Sequence, residues 1–545
     1  MRRIDRRHFL AGAAGMAGAS LAARAGAAQI EANWSSIVQS FEAPRWFTDA
    51  KFGIWAHWSA QCVPEFGDWY GRLMYVQGNP FYDHHLKHYG HPADTGFIEI
   101  EQRWTAEHWD PEALIALYKQ AGARYFVALA GHHDNLDTWD SSHHAWNTLR
   151  VGPKRDIIGT WEKIARAAGL RFGVSNHTSH AWHWWQTAYG YDTVGPRAGQ
   201  RYDAFRLRKA DGKGTWWDGL DPQELYVGPS YVPPDGISSI AAMDAWHEVH
   251  DGRWMEGSPP APPAFADKWL LRQKELVEKY RPDLVYLDDT ALPFGSTGLE
   301  ALAHYYDQSR RLHGKMDVVL TGKLLSAYQR RAMIEDVERG YSDRLRAEPW
   351  QTCTCIGDWH YNRARFDTKS YVPAEQVVQR LCDVVSKNGN LLLSIPMRGD
   401  GTIDSEEEKV VAGITRWMAR NGEAAIYGSR PWRIYGEGPT RLSAGHMNEG
   451  QMSKSGAGGF TAQDVRFTVK DGRLFAALLR WPEQPVTIAA LGSRALPGAT
   501  IARATLVGGG PVIAERTEAG LTLTLPRAGP GDIVPVIALE GAGLV

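Results

Sequence analysis

Eight times along this chain a short apolar run ends in polar or aromatic residues: Phe52 to His57, Tyr125 to His133, Arg171 to His177, Leu284 to Asp289, Val318 to Lys323, Met333 to Glu338, Gln351 to Gly357, and Asn390 to Pro396. Stretches with helical periodicity lie between several of them, most clearly Pro111 to Ala121, Gly159 to Ala168, Ala266 to Lys279, Leu299 to Leu312 and Pro373 to Val385. Strand and helix alternating in this way imply a parallel sheet with right-handed crossovers. Eight strands predict an α/β fold, a (β/α)8-like barrel whose active site gathers at the carboxyl ends of the strands. No helical pattern follows the sixth run, so an irregular barrel is expected. The fourth run shows the logic best. Ala266 to Lys279 carries Trp269, Leu270, Leu276 and Val277 on one face, Pro282 stops it, and Leu284-Val285-Tyr286-Leu287 ends abruptly in Asp288-Asp289. That acidic pair is either a catalytic strand end or a simple cap on the next loop.

The largest interruption, about 186–263, is rich in Gly, Pro, Asp and Trp and weak in periodicity. It is too long for an idle loop in a compact domain and is expected to shape the entrance of a site. A helix over Asp404 to Arg420, with a Ser/Asp cap and an acidic first turn, closes the barrel region. Beyond about Ser429 the texture changes. Val465 to Leu479 reads as two alternating strands about an Asp471-Gly472 hairpin turn, and Ile501 to Val507 and Leu521 to Leu525 continue in that style. The expected organisation is a barrel over 35–428 and a C-terminal all-β sandwich over 429–545.

Composition changes this picture little. At 545 residues, 43% hydrophobic, 22% charged and a net charge of −2, the chain can bury a large core and has no charge signature for nucleic acid or an anionic membrane. The N-terminus reads as an address. Asp5-Arg6-Arg7-His8-Phe9-Leu10 opens an Ala/Gly-rich apolar stretch and Ala25-Gly26-Ala27 offers a small-residue cleavage site, so 1–27 is expected to be a twin-arginine export signal and the mature protein periplasmic or secreted. The four cysteines, Cys62, Cys353, Cys355 and Cys382, lack zinc-ligand spacing and read as core-filling thiols.

Three successive strand ends carry histidine: His57, His132-His133 and His177. Such a cluster suits a metal, or the hydroxyls of a sugar. Trp182, Trp184 and Trp185, and Asp68-Trp69-Tyr70, add aromatic faces of the kind that stack on sugar rings. Two carboxylates among them fit glycoside hydrolysis, which needs one to attack or stabilise an oxocarbenium-like centre and another, of raised pKa, to protonate the leaving oxygen. Asp288 is the first candidate. Glu335, Asp336 and Glu338 are candidates for the second.

At these positions the chain resembles the α-L-fucosidases of glycoside hydrolase family 29. The matching stretches are Trp46 to Trp58, Gly67-Asp68-Trp69-Tyr70, His132-His133-Asp134, Trp146-Asn147, Gly152 to Asp156, Arg281 to Asp288, Asn388 to Leu393, Asn421 to Gly428 and Asp464 to Thr468. The resemblance implies that Asp288 is the nucleophile, that His57, His132 and His133 bind fucose hydroxyls, that Trp69 lines the pocket and that Trp359 packs on the sugar methyl. It implies Glu338 as the acid/base, with Glu335 second. The family usually has glutamate where Asp68 stands and glycine where Asp289 stands, and Lys323 takes the place of a pocket arginine. Asp68, His177 and Lys323 complete the expected substrate-binding set. The expectation is a retaining exo-α-L-fucosidase acting on fucosylated oligosaccharides or polysaccharides, with no cofactor and no bound metal. The alternatives are a glycosidase for a related L-sugar such as α-L-galactose, a non-catalytic carbohydrate-binding protein, or a metal-dependent hydrolase.

Overall fold

The structure, a computed structural model, describes residues 29–252, 255–450 and 459–545. The export signal expected over 1–27 lies outside them. Among the described residues no helix is long and apolar enough to cross a membrane.

Eight parallel strands close into a barrel in chain order: β1 (Phe52–Ala56), β2 (Tyr125–Gly131), β3 (Arg171–Asn176), β4 (Leu284–Thr290), β5 (Val319–Lys323), β6 (Ile334–Asp336), β7 (Trp350–Cys355) and β8 (Gly389–Ser394), with β8 returning to pair with β1. Helices pack outside or below: α1 (Arg45–Ala50), α2 (Pro111–Gln120), α3 (Ile157–Ala167), α4 (Pro263–Tyr280), α5 (Ser296–His313), α6 (Ala374–Ser386) and α7 (Ser405–Asn421). Their starts follow local chemistry. Asp110 caps α2 ahead of Pro111, Asp156 caps α3, and Asp404 with Glu407 forms a capping box on α7. No helix lies between β6 and β7, as the sequence pattern predicts.

Side chains alternate along a strand. Tyr125, Val127, Trp55, Leu284, Tyr286, Val319, Ile334, Cys353 and Leu392 therefore fill the barrel interior, with Phe47 and Ala50 of α1 packed against them. The barrel has a solid floor. The next inward positions along four strands are His57 after Trp55, Asp288 after Tyr286, Lys323 after Thr321 and Glu338 after Asp336. The hydrophobic alternation that builds the core thus sets the polar groups on top of it.

The inserted segment is more regular than its sequence suggests. It holds an 11-residue helix, Ile240–His250, capped by Ser239, of which Met243 and His247 alone are buried. So thin a buried stripe leaves little periodicity to read. The C-terminal region forms two antiparallel sheets. The first has the order β13-β16-β11-β10-β9, with β9 (Arg430–Glu437), β10 (Val465–Lys470), β11 (Arg473–Leu478), β13 (Arg503–Leu506) and β16 (Val536–Glu540). The second has the order β12-β15-β14, with β12 (Val486–Ile488), β14 (Ile513–Arg516) and β15 (Leu521–Thr524). Phe467, Leu474 and Ile537 of one sheet share a core with Ile488, Leu521 and Leu523 of the other, a sandwich. Asp471 (φ 49) and Gly472 (φ 72) make the left-handed turn expected between β10 and β11.

Candidate active site

The centre of the barrel mouth is a buried ammonium. Lys323 Nζ lies 2.5 Å from Asp288 Oδ1 and 3.3 Å from Glu256 Oε2, and it also holds Glu338 Oε2. An ammonium has three donors, and here three carboxylates take them. Lys323 is expected from the sequence among the substrate ligands. The structure makes it the charge that gathers the acids. Two oxygens hydrogen-bonded to one ammonium can stand no more than about 6 Å apart, so Asp288 and Glu338 are brought together.

Their surroundings separate the two acids. Burial works against ionisation of Asp288, but Lys323 and His177 outweigh it and hold this carboxyl well below the usual carboxylate range. Burial pushes Glu338 up. Lys323 opposes the rise and the neighbouring Asp288 charge reinforces it, and the net direction is upward. One acid is shifted toward its ionised form and its neighbour toward its protonated form, the separation that acid/base chemistry needs. The alternative Glu335 is tied elsewhere. It accepts from Leu325 N at 3.0 Å and pairs with Arg330 at 3.6 Å and with Arg346. Asp336 turns inward to Gln351 and Cys353, and burial lifts it to about 7.

Imidazoles line the other side. Gln61 Nε2 donates to His132 Nδ1 (2.6 Å) and to Asp134 Oδ2 (3.2 Å), which leaves His132 with its proton on Nε2. His133 Nδ1 donates to the His177 carbonyl at 3.0 Å, and its Nε2 lies 3.5 Å from Asp288 Oδ2. His177 Nδ1 lies 3.1 Å from the same oxygen. Burial drives His57, His132 and His133 well below the usual histidine range, so they are neutral. Both nitrogens of His57 and Nε2 of His177 are buried without a hydrogen-bond partner among the described residues. Each such atom carries a desolvation cost of about 1–3 kcal/mol, which a ligand rich in hydroxyls can remove because a hydroxyl both donates and accepts. Two triplets, His57/His132/His360 and His132/His133/His177, also have ligand atoms close enough to hold a metal ion.

Aromatic residues complete the wall. The Trp359 ring lies 5.6 Å from His57 and 5.3 Å from Trp55. Trp69 sits in the left-handed region (φ 66), an uncommon place for a bulky residue, with its ring 6.3 Å from His133. Asp68, expected among the substrate ligands, also has a structural task. Its two oxygens accept from Trp359 N (3.1 Å) and His360 N (2.7 Å), so it shapes the turn that presents Trp359. Trp184 and Trp185 are fully buried: Trp184 packs behind His132 and His133, and Trp185 packs on Trp184 and Tyr226, so both serve as core. The four cysteines are buried and free.

Two residues of the site carried no legible signal. Glu256 comes from the end of the inserted segment. His446 comes from the loop after β9, where it accepts Glu338 N at 3.1 Å while Met447 N donates to Glu338 O at 2.8 Å. The C-terminal region therefore clamps the backbone that presents Glu338.

Replacing Lys323 with methionine is expected to raise the pKa of Asp288, because the cation that outweighs its burial is gone. The acidic limb of the kcat/KM profile moves to higher pH by at least about one pH unit, and a full pH–rate profile of the variant reads this directly.

A closed parallel barrel with two carboxylates on one ammonium, among imidazoles and indoles at its carboxyl end, fits a glycoside hydrolase. The chain belongs to the alpha-L-fucosidase family, whose model matches residues 18–423. It is 26% identical over 513 residues to the tissue alpha-L-fucosidase of Rattus norvegicus, covering 92% of this chain and 89% of that one. The human tissue alpha-L-fucosidase is 25% identical, covering 83% and 79%. Among solved structures, an alpha-L-fucosidase superposes with a TM-score of 0.68 at 23% identity, covering 94% of this chain and all of that one. The Thermotoga maritima alpha-fucosidase in complex with fucose gives 0.66 at 24%, with the same coverage. These two structures support the fold.

Proposed function

We propose that this protein is a retaining, exo-acting α-L-fucosidase that removes terminal α-L-fucosyl residues from glycans by double displacement. The observation that carries the reading is the pair Asp288 and Glu338 on one ammonium, the first held ionised and the second pushed toward its protonated form. Their proximity suits a retaining pair, whose carboxyls stand about 5–5.5 Å apart. In the first step Asp288 forms a bond to the anomeric carbon as the glycosidic bond breaks, and Glu338 gives its proton to the departing oxygen. In the second, Glu338 takes a proton from water, which attacks the same carbon and returns Asp288 as carboxylate. The neutral imidazoles of His57, His132 and His133, together with His177, meet the sugar hydroxyls, Trp69 and Trp359 cover its apolar faces, and the solid barrel floor admits a chain end only.

Hydrolysis of 4-nitrophenyl α-L-fucoside beside other nitrophenyl glycosides, α-L-galactoside included, tests the substrate. Fucoside is expected to be cleaved at least about tenfold better than the galactoside, since an added hydroxyl would meet the Trp359 face. Loss of activity on the alkaline side is expected to follow deprotonation of Glu338, at a pH above the ordinary glutamate range, while the low pKa of Asp288 keeps the acidic limb at low pH.

Export through the twin-arginine route is part of the same proposal, supported by Arg6-Arg7 before Phe9-Leu10. Changing both arginines to lysine is expected to leave the precursor in the cytoplasm on fractionation. Undiminished export of that variant contradicts it.

A further inference from the structure

We infer that Glu256 is a specificity-determining residue that accepts hydrogen bonds from the leaving-group saccharide, the sugar unit joined to the scissile bond. The inference rests on the fucosidase reading and extends it to the other side of that bond.

Glu256 is held in place twice. Its carbonyl accepts from Thr290 N at 2.8 Å, at the end of β4. Two residues on, Ser258 is bound to Asp289: Ser258 N donates to Oδ1 at 2.9 Å and the hydroxyl donates to Oδ2, which also accepts from Ser179 at 3.2 Å. Asp289, the residue after the proposed nucleophile, is thus the anchor of the inserted segment. Strand alternation turns Asp288 into the barrel and Asp289 onto this loop.

The carboxylate so positioned differs from the other two on Lys323. The Asp288 and Glu338 side chains are 10% and 14% exposed, whereas that of Glu256 is 36% exposed. Its Oε2 is tethered by Lys323, and Oε1 takes no hydrogen bond from the described residues. Glu256 therefore stands at the rim, next to the acid that protonates the leaving oxygen. A fucosyl unit seated on the imidazoles, above a filled barrel, must project its leaving group outward past that rim. A tethered carboxylate with a free oxygen offers a preorganised acceptor for the hydroxyls of a sugar there, and a nitrophenyl leaving group has no hydroxyl to offer.

The test compares Glu256→Gln and Glu256→Ala with the parent on 4-nitrophenyl α-L-fucoside and on whichever of the fucosyl-galactose and fucosyl-N-acetylglucosamine disaccharides the parent cleaves fastest. Inhibition by L-fucose confirms in each variant that the fucosyl site is formed. The ratio of kcat/KM for disaccharide to that for the nitrophenyl substrate is expected to fall about tenfold in Glu256→Ala and less in Glu256→Gln. An unchanged ratio overturns the inference. So does a loss shared equally by both substrates, with or without a displaced alkaline limb, since Glu256 would then act through Lys323 on Glu338. A variant that no longer binds L-fucose also overturns it, by showing that Glu256 serves the fucosyl site itself. A parent that cleaves no fucoside at all overturns the fucosidase reading, which is visible before any variant is made.

Discussion

Asp288→Ala lowers kcat/KM on 4-nitrophenyl α-L-fucoside by at least about 10³-fold, a barrier increase of ~4 kcal/mol, and azide restores turnover with β-L-fucosyl azide as product. The expectation follows from position. Leu284 and Tyr286 point into the barrel and Asp288 is the next residue on that face, so its carboxylate rises from the floor beneath the sugar. Lys323 and the His177 imidazole outweigh its burial and hold it well below the usual carboxylate range. Removing it leaves space for a small anion to attack from the same side, and a single attack inverts the anomeric centre. Full activity in the variant contradicts the assignment. Asp289 is a poor substitute, because its oxygens are bound to Ser258 and Ser179.

The second large effect belongs to Glu338. Glu338→Ala is expected to slow a disaccharide by roughly 10²–10⁴-fold and an activated aryl fucoside far less in its first step, because only the poor leaving group needs a proton. The alkaline limb of the pH profile disappears with the group that causes it. Azide now attacks the covalent intermediate, and the product is α-L-fucosyl azide, opposite in configuration to that from Asp288→Ala. The two azide products together assign the faces of the sugar to the two acids. Equal losses on both substrate types would pass the role to another carboxylate. Glu335 is not well placed for it, since its oxygens are taken up by Leu325 N, Arg330 and Arg346.

Much of this site is legible in the sequence because one physical rule writes both core and chemistry. Period-two alternation puts Trp55 and His57, Tyr286 and Asp288, and Asp336 and Glu338 on inward faces, so a reader who finds the apolar strand finds the polar group that tops it. The hairpin at Asp471-Gly472 is legible for a similar local reason, a turn that requires two left-handed residues. What sequence does not carry is the choice of partner across long separations. Lys323 is a cation at a strand end, and nothing local says that its three donors go to Asp288, Glu338 and Glu256, the last 67 residues away. Asp68 beside Trp69 suggests a sugar ligand, and nothing local says that its oxygens also accept from Trp359 and His360, about 290 positions on. His446 lies 108 residues from the Glu338 amide it accepts, in a Gly- and Asn-rich stretch with no periodicity. Glu335 and Glu338 are the same residue type three positions apart, and only the arginines around one and the lysine before the other separate them.

The measurement that bears most directly on the central claim is mass spectrometry of the protein after reaction with 2-deoxy-2-fluoro-α-L-fucosyl fluoride, which slows release of a glycosyl-enzyme intermediate more than its formation. Double displacement on Asp288 predicts one fluorofucosyl adduct per chain, located in the peptide that contains Asp288 and absent from Asp288→Ala. An adduct on Glu338 or Asp289, or steady turnover of natural substrate to the inverted anomer with no adduct formed, contradicts it.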